Sequence, residues 1–307
     1  MLLVREGIDM SSLTAKSAIS RKDMLFKDSV TSIKAINSSD FNVLNNIVAI
    51  FSTSLFSYYA VNTFASIGIE RERVKNYNKY SLPYLELNAT ENIENIEKAK
   101  QQIYSEKQEV LIDNHKIQNL ENSVNTELNK INKSIYEKLE LDDTELSLIN
   151  YALDINLNLI VGNDSSKNKL FSTINIDDEI FNNYASVFVD RFKSKLEKED
   201  KKFVVEIWHT NQIVGMFFKL VPSSSFKNAI VLVNKQDSDW EIISLLTKIS
   251  SEKVTDKLFV QKDIRGFEKD YFYIFKPNEK RLWHKAIGYL DVNEFADAIL
   301  KAGKKGI

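Results

Sequence analysis

Residues 51–86, FSTSLFSYYAVNTFASIGIERERVKNYNKYSLPYLE, form the stretch on which the reading of this chain turns. An apolar, aromatic-rich run stops at Gly68, a cluster of alternating charges follows, and Leu82-Pro83 closes the segment. Leu44, Ile47, Val48, Phe51, Leu55, Tyr58 and Tyr59 recur at steps of three and four, the repeat of a helix with one face in a core. The spacing predicts one helix from Phe41 to about Phe64, with Asp40 as its N-cap and Gly68 as a left-handed turn residue after it. Beyond Gly68, Arg71, Arg73 and Lys75 alternate, so in an extended segment all three project from one face. Cations so arranged can hold phosphates or reach guanine O6 and N7 in a major groove.

LLVREG at the start and the stretch around DSVTSIKAI read as short strands, which makes residues 1–90 one α+β unit. A second basic set, Lys16, Arg21, Lys22, Lys27 and Lys34, lies within it. Residues 1–90 hold 10 Lys and Arg against 8 Asp and Glu, a balance of +2, so any phosphate contact there is local.

Residues 91 to about 140 contain neither Gly nor Pro. Ile96, Ile103, Val110, Ile117, Val124 and Ile131 fall seven apart without a slip, one column of a heptad repeat. The companion column is poor, so one long helix or a hairpin broken near Asp113-Asn114 both fit. Asp and Glu number 13 against 7 Lys in 91–150, or −6, and such a surface repels phosphate. The segment 91–165 reads as a helical spacer, either merely solvated or used as a ruler or docking helix. Asp142-Asp143-Thr144-Glu145 starts a further helix, with carboxylates at its positive end. After a polar break at 162–166, residues 166–307 read as a third unit. It has a helix through DDEIFNNYASVFVDRFKSKLEKE, strands KFVVEIW, IVGMFFKLV and NAIVLVN, a helix at 239–250, strands KLFVQKD and DYFYIFK, and a closing helix. That order implies a mainly antiparallel sheet with helices on one side.

The composition excludes much chemistry. Net charge over 307 residues is −2, so no global field draws the chain to nucleic acid. There is no Cys, which removes disulfides, thiolate zinc sites and cysteine nucleophiles and fits a reducing cytoplasm. MLLVREGIDM is too charged for a signal peptide, and the apolar run Val43–Ile69 is too interrupted by polar residues for a membrane span. No two of the eight Gly are separated by one residue, so a G-x-G phosphate turn cannot form. The three Pro are never adjacent, so the Asn-Pro-Pro-aromatic motif of DNA methyltransferases is absent. His115, His209 and His284 provide no paired metal ligands. A metal-dependent nuclease strand would pair an acid with a lysine two residues on. Glu206 has Trp208 there, and neither Asp263 nor Glu268 fits better. Trp283-His284 reads as an aromatic anchor for the last helix or as a functional patch.

Three pieces, in order, resemble the target-recognition domain of TaqI-type adenine-specific DNA methyltransferases and related restriction-modification enzymes. The first is LLVREGIDMSSLTAKSAISRKDMLFKDSVTSIKA, with Phe26, Ser29 and Ile33 in an F-x-x-S-x-x-x-I pattern. The second is the helix followed by Gly68-Ile69-Glu70-Arg71, and the third is YSLPYLE, similar to a closing L-P strand. In that family the domain follows a catalytic domain that binds S-adenosylmethionine. Here it comes first and no catalytic motif accompanies it, so no cofactor and no catalytic or metal-binding residue is expected. The resemblance implies a DNA-binding specificity component of a restriction-modification or phage-defence system, with duplex DNA and a separate methyltransferase or nuclease subunit as partners. Its DNA-contacting residues would be Arg71, Arg73, Lys75, Lys16, Arg21, Lys27 and Lys34. Two alternatives stand beside it: an assembly protein that forms a homodimer through the column from Ile96 to Ile131, and an unrecognised nuclease or hydrolase in 174–307.

Overall fold

The computed structural model describes residues 1–64, 76–109, 112–161, 164–225, 227–234, 263–268 and 270–305. The fold is α+β, in two compact units, Met1–Asn163 and Asp164–Ile307.

The first unit opens with strands β1 (Leu2–Ile8), β2 (Ala15–Ile19) and β3 (Val30–Ile33), in the antiparallel order β2-β1-β3. β1 and β3 are the two short strands expected, and β2 lies between them. Leu2 pairs with Ile19 and Ile33, and Val4 with Ser17 and Thr31, so these positions share one face. On that face Leu2 and Val4 are buried, in a core with Leu44, Val48 and Phe51. The register slips between Val4 and Ile8. At the β1–β2 turn the Asp9 carboxylate accepts from the Ser11 and Ser12 amides, and buried Leu13 takes φ 54°, a conformation bulky residues rarely adopt.

The helix expected over 41–64 is two helices, α1 (Asp40–Phe51) and α2 (Ser54–Thr63). Ser52 and Thr53 split it. Their hydroxyls donate back to the Val48 and Ile50 carbonyls, and Thr53 then N-caps α2 by accepting from the Phe56 amide. Asp40 is the first helical residue rather than the cap. Its carboxylate accepts the amides of Ile36 and Asn37 and so orders the turn before the helix. After α3 (Asn76–Tyr80), residues 83–89 run without regular structure, so the expected Leu82-Pro83 strand does not form.

Of the two forms open for the heptad segment, the chain takes the hairpin. α4 (Thr90–Glu106) and α5 (Asn114–Lys138) pack together, with Asp113 capping α5 through the Lys116 amide. The expected boundary after residue 90 is absent, because α4 packs on α1 and Ile93, Ile96 and Ala99 join the core that holds Leu2 and Val4. α6 (Asp143–Tyr151) begins as its sequence predicts, with a reciprocal capping box between Asp142 and Glu145. It continues through a π-helical turn at Ala152–Asn156 into α7 (Leu157–Val161).

The second unit starts at Asp164 rather than 166, and the expected polar break is helical from there, as α8 (Asp164–Leu170). α9 (Glu179–Leu196) is capped by Asp178. Strands β4 (Lys201–His209), β5 (Ile213–Pro222), β6 (Ile230–Asn234), β7 (Ile264–Phe267) and β8 (Tyr271–Pro277) form one sheet in the order β6-β4-β5-β8-β7. It is antiparallel except for β6, which runs parallel to β4. β7 was not read from the sequence, and the expected helix at 239–250 and most of KLFVQKD lie outside the described residues. α9 and α10 (Lys285–Lys305) supply Phe188, Phe192, Val292 and Phe295 to a core with Phe203, Phe218 and Phe272 from one face of the sheet. Phe188 stacks on Phe218 at 4.1 Å, and Phe218 on Phe272 at 4.7 Å. On the other face Phe217, Tyr273 and Phe275 cluster. There Gly215 pairs with Phe275, and a Cβ at 215 would stand 2.3 Å from the Phe275 ring.

Candidate nucleic-acid interface

The strand register of the first unit decides which of its cations share a surface. Leu2, Val4, Ser17, Ile19, Thr31 and Ile33 take one face, so Leu3, Arg5, Lys16, Ala18, Val30 and Ser32 take the other. Lys34, the next residue after Ile33, continues that alternation. Arg5, Lys16, Ala18, Ser32 and Lys34 are exposed. No carboxylate stands among these outward positions. Arg5 lies opposite Val30, so Lys34 stands about 13 Å further along at ~3.3 Å per residue. Each of the three strands thus brings one cation to, or just beyond, its outer side. Lys16 makes a loose surface contact with Asp9 at 3.9 Å, which leaves its charge available. Asp9 itself is held below the usual carboxylate range, first by the Ser11 hydroxyl bonded to it.

The connection from β2 to β3 adds a second feature. Residues 21–28 are all exposed, and Met24, Leu25 and Phe26 show large apolar side chains to solvent, Leu25 completely. Lys22 and Lys27 flank them and are also exposed. Arg21 is differently placed. It donates to Glu94 Oε1 at 2.9 Å and lies over the Phe41 ring at 5.3 Å, so it ties the end of β2 to the helices. Of the residues expected to meet DNA, Lys16, Lys27 and Lys34 are therefore exposed cations, whereas Arg21 serves within the fold. Arg71, Arg73 and Lys75 lie outside the described residues. Arg5 was missed, because only the register shows that it shares a face with Lys16.

The heptad column is spent inside the unit. Ile96, Val124 and Ile131 are buried where α4 and α5 meet the rest of the core, Ile117 is buried near the start of α5, and Ile103 is half-buried. Val110 lies outside the described residues.

A second residue the sequence reading passed over is Lys79. It is fully buried, and its Nζ donates to the carbonyls of Arg5 and Glu6 at 2.5 and 2.6 Å, where the β1 register slips. Burial pulls its pKa down to about 8 against the opposing pull of Glu6.

In the second unit the expected acids are engaged. Glu206 holds Lys219 at 2.5 Å and accepts from the Trp208 indole. Asp263 pairs with Arg265. The largest polar cluster is buried: Asp291 accepts from Lys276, from the Tyr184 hydroxyl at 2.5 Å and from Arg265 at 3.0 Å. Lys276 also donates to the Leu282 carbonyl and lies over the Tyr184 and Trp283 rings at 4.9 and 5.3 Å. Burial lowers the Lys276 pKa against the pull of Asp291, and burial first, then Asp291, raises that of Tyr184 well above its ordinary value. Trp283 is fully buried and donates to the Pro277 carbonyl, and His284 Nδ1 accepts the Ala286 amide, so this pair anchors α10 as the first reading had it. Among the described residues no group of three His, Asp or Glu could hold a metal ion, and no helix is long and apolar enough to cross a membrane. No protein-family model, curated protein or solved structure matches the chain. The likeness to TaqI-type recognition domains therefore rests on the quoted motifs alone.

Proposed function

We propose that the first unit binds duplex DNA on the outer face of its three-stranded sheet, as the specificity component of a restriction-modification or phage-defence system whose catalysis resides in another subunit. The observation that supports this reading is the set of outward positions of β1–β3, which carry Arg5, Lys16 and Lys34 and no carboxylate, with Asp9 of the β1–β2 turn 3.9 Å from Lys16. Cations spaced along a backbone neutralise phosphates and release counterions. On the β2–β3 connection Lys22 and Lys27 are exposed, but Asp23 and Asp28 stand beside them, so residues 22–28 carry no net charge. Met24, Leu25 and Phe26 between them suit the apolar wedge that many proteins press between base steps. Arg71, Arg73 and Lys75 belong to the same reading through the resemblance. The dimerisation alternative is less favoured, since Ile96, Val124 and Ile131 pack within the chain.

The test is a titration of random and sequence-varied duplexes at about 50 mM salt, where phosphate contacts are strongest. Wild type is expected to bind, and Arg5→Gln/Lys16→Gln/Lys34→Gln to bind more weakly with a salt dependence shallower by about 3 in log–log slope. Absence of binding, or an unchanged slope in the triple variant, would sink the assignment.

A further inference from the structure

A cleft of about 790 Å³ opens within the first unit, and of the cations expected to meet DNA Lys16 alone lines it. Its walls are β2 with the turn before it, the α1–α2 junction, Lys100 of α4, the Asn125–Asn132 stretch of α5, and Leu153 and Leu157. Its lining mixes polar and apolar surface. Ser12, Thr14, Ser17, Ser52, Thr53, Ser54 and Ser57 contribute hydroxyl-bearing positions, Lys16 and Lys100 are its cationic residues, and Asp9 is its acid. Among the described residues no aromatic ring lines it, so these offer no platform for stacking a base.

Many of these groups are already used. Ser57 donates to the Ser12 carbonyl, Ser52 to Val48, and Thr53 to Ile50. The carboxylate of Asp9 is occupied by Ser11, Ser12 and Lys16. The groups that remain are mostly donors. The Ser17 hydroxyl is buried with no hydrogen-bond partner, a condition that costs free energy and calls for an explanation. Asn125, Asn129 and Asn132 sit four and three residues apart, one stripe of α5, although Asn is a poor helix former. Only Asn132 has a visible structural duty, accepting the Ser54 amide through Oδ1, which leaves its NH2 free to donate.

We infer that this cleft is a binding site for a small phosphorylated sugar. Lys100, joined by Lys16 where its loose 3.9 Å contact with Asp9 gives way, matches a phosphate, the amide stripe and the Ser17 hydroxyl match sugar hydroxyls and ester oxygens, and the leucines contact the carbon skeleton. The volume suits a molecule of that size, and a duplex about 20 Å across is too wide for it. This site is separate from the DNA reading except at Lys16, so its test uses Lys100, Asn129 and Ser17.

The experiment is calorimetric titration of the full chain with inorganic phosphate, ribose 5-phosphate, glucose 6-phosphate, unphosphorylated ribose and a thymidine tetranucleotide. Saturable binding of at least one sugar phosphate, about tenfold or more tighter than ribose, is expected, and Lys100→Met or Asn129→Leu should weaken it by about tenfold. Ser17→Ala should weaken binding while leaving the unliganded melting temperature unchanged or raised, since it deletes an unpartnered buried hydroxyl. The inference is overturned if none of the three phosphates binds, if the variants bind as wild type does, or if Ser17→Ala lowers the unliganded melting temperature. Tighter binding of the tetranucleotide than of any sugar phosphate would reassign the cleft to nucleic-acid ends.

Discussion

Lys79 shows how a single side chain can depend on strand geometry far from it in sequence. The carbonyls of Arg5 and Glu6 are turned to its ammonium group where the β1 register slips. The folded pKa of about 8 lies below the ordinary 10.5, so the folded state binds fewer protons in that interval. Stability therefore rises with pH from about 8 to about 10.5, and below pH 8 the burial penalty stays constant. Chemical denaturation of wild type and Lys79→Met across pH 7–10.5 checks this: wild type should gain relative to the variant only above pH ~8. A constant difference would mean that the lysine is not strained in the fold. Nothing local in Asn-Tyr-Asn-Lys-Tyr predicts such burial, because a lysine after two asparagines reads as solvated. Arg5 was hidden in the same way, since its neighbours across the sheet belong to other strands.

Elements were legible where one physical signal dominates. Short runs of apolar, β-branched and aromatic residues gave β1, β4, β5 and β8, and the Asp142–Glu145 stretch marked the start of α6. The split between α1 and α2 was not, because apolar periodicity runs through Ser52-Thr53 and only their back-bonding hydroxyls end the first helix. The heptad column was visible, but its partner was not: a repeat of seven specifies a seam and leaves open which helix fills it. The sheet of the second unit has a further local rule. Gly215 leaves room for the Phe275 ring across the strand pair, as Gly266 does for Tyr273. Gly215→Val should destabilise by about 1–3 kcal/mol through overpacking, and Phe275→Ala in the same molecule should recover part of it. Strictly additive losses in a double-mutant cycle would show that the two positions do not meet.

Across the whole chain, composition spoke truly about class and poorly about partition. The α+β character was readable, yet the boundary at 90 was not real, because the acidic hairpin turns its isoleucines into the core below the three-stranded sheet. Each of the two units has its own apolar centre, so residues 1–163 and 164–307 should each fold when expressed alone. Lys276→Met strands the buried Asp291 with fewer partners and should cost the second unit about 3–5 kcal/mol. Calorimetry of the full chain should show one transition lowered and the other in place. A shift of both together would indicate a single cooperative molecule.

The buried Lys276 has a consequence during synthesis. Its counterion, Asp291, lies 15 residues downstream, and the Tyr184 that shares this carboxylate precedes it by 107. A ribosome therefore delivers the tyrosine long before the acid, and the first unit can close while the second still lacks its keystone. Until α10 emerges, Tyr184 and Lys276 cannot be sequestered at low cost, so the nascent second unit should remain open to chaperones and proteases until that helix docks.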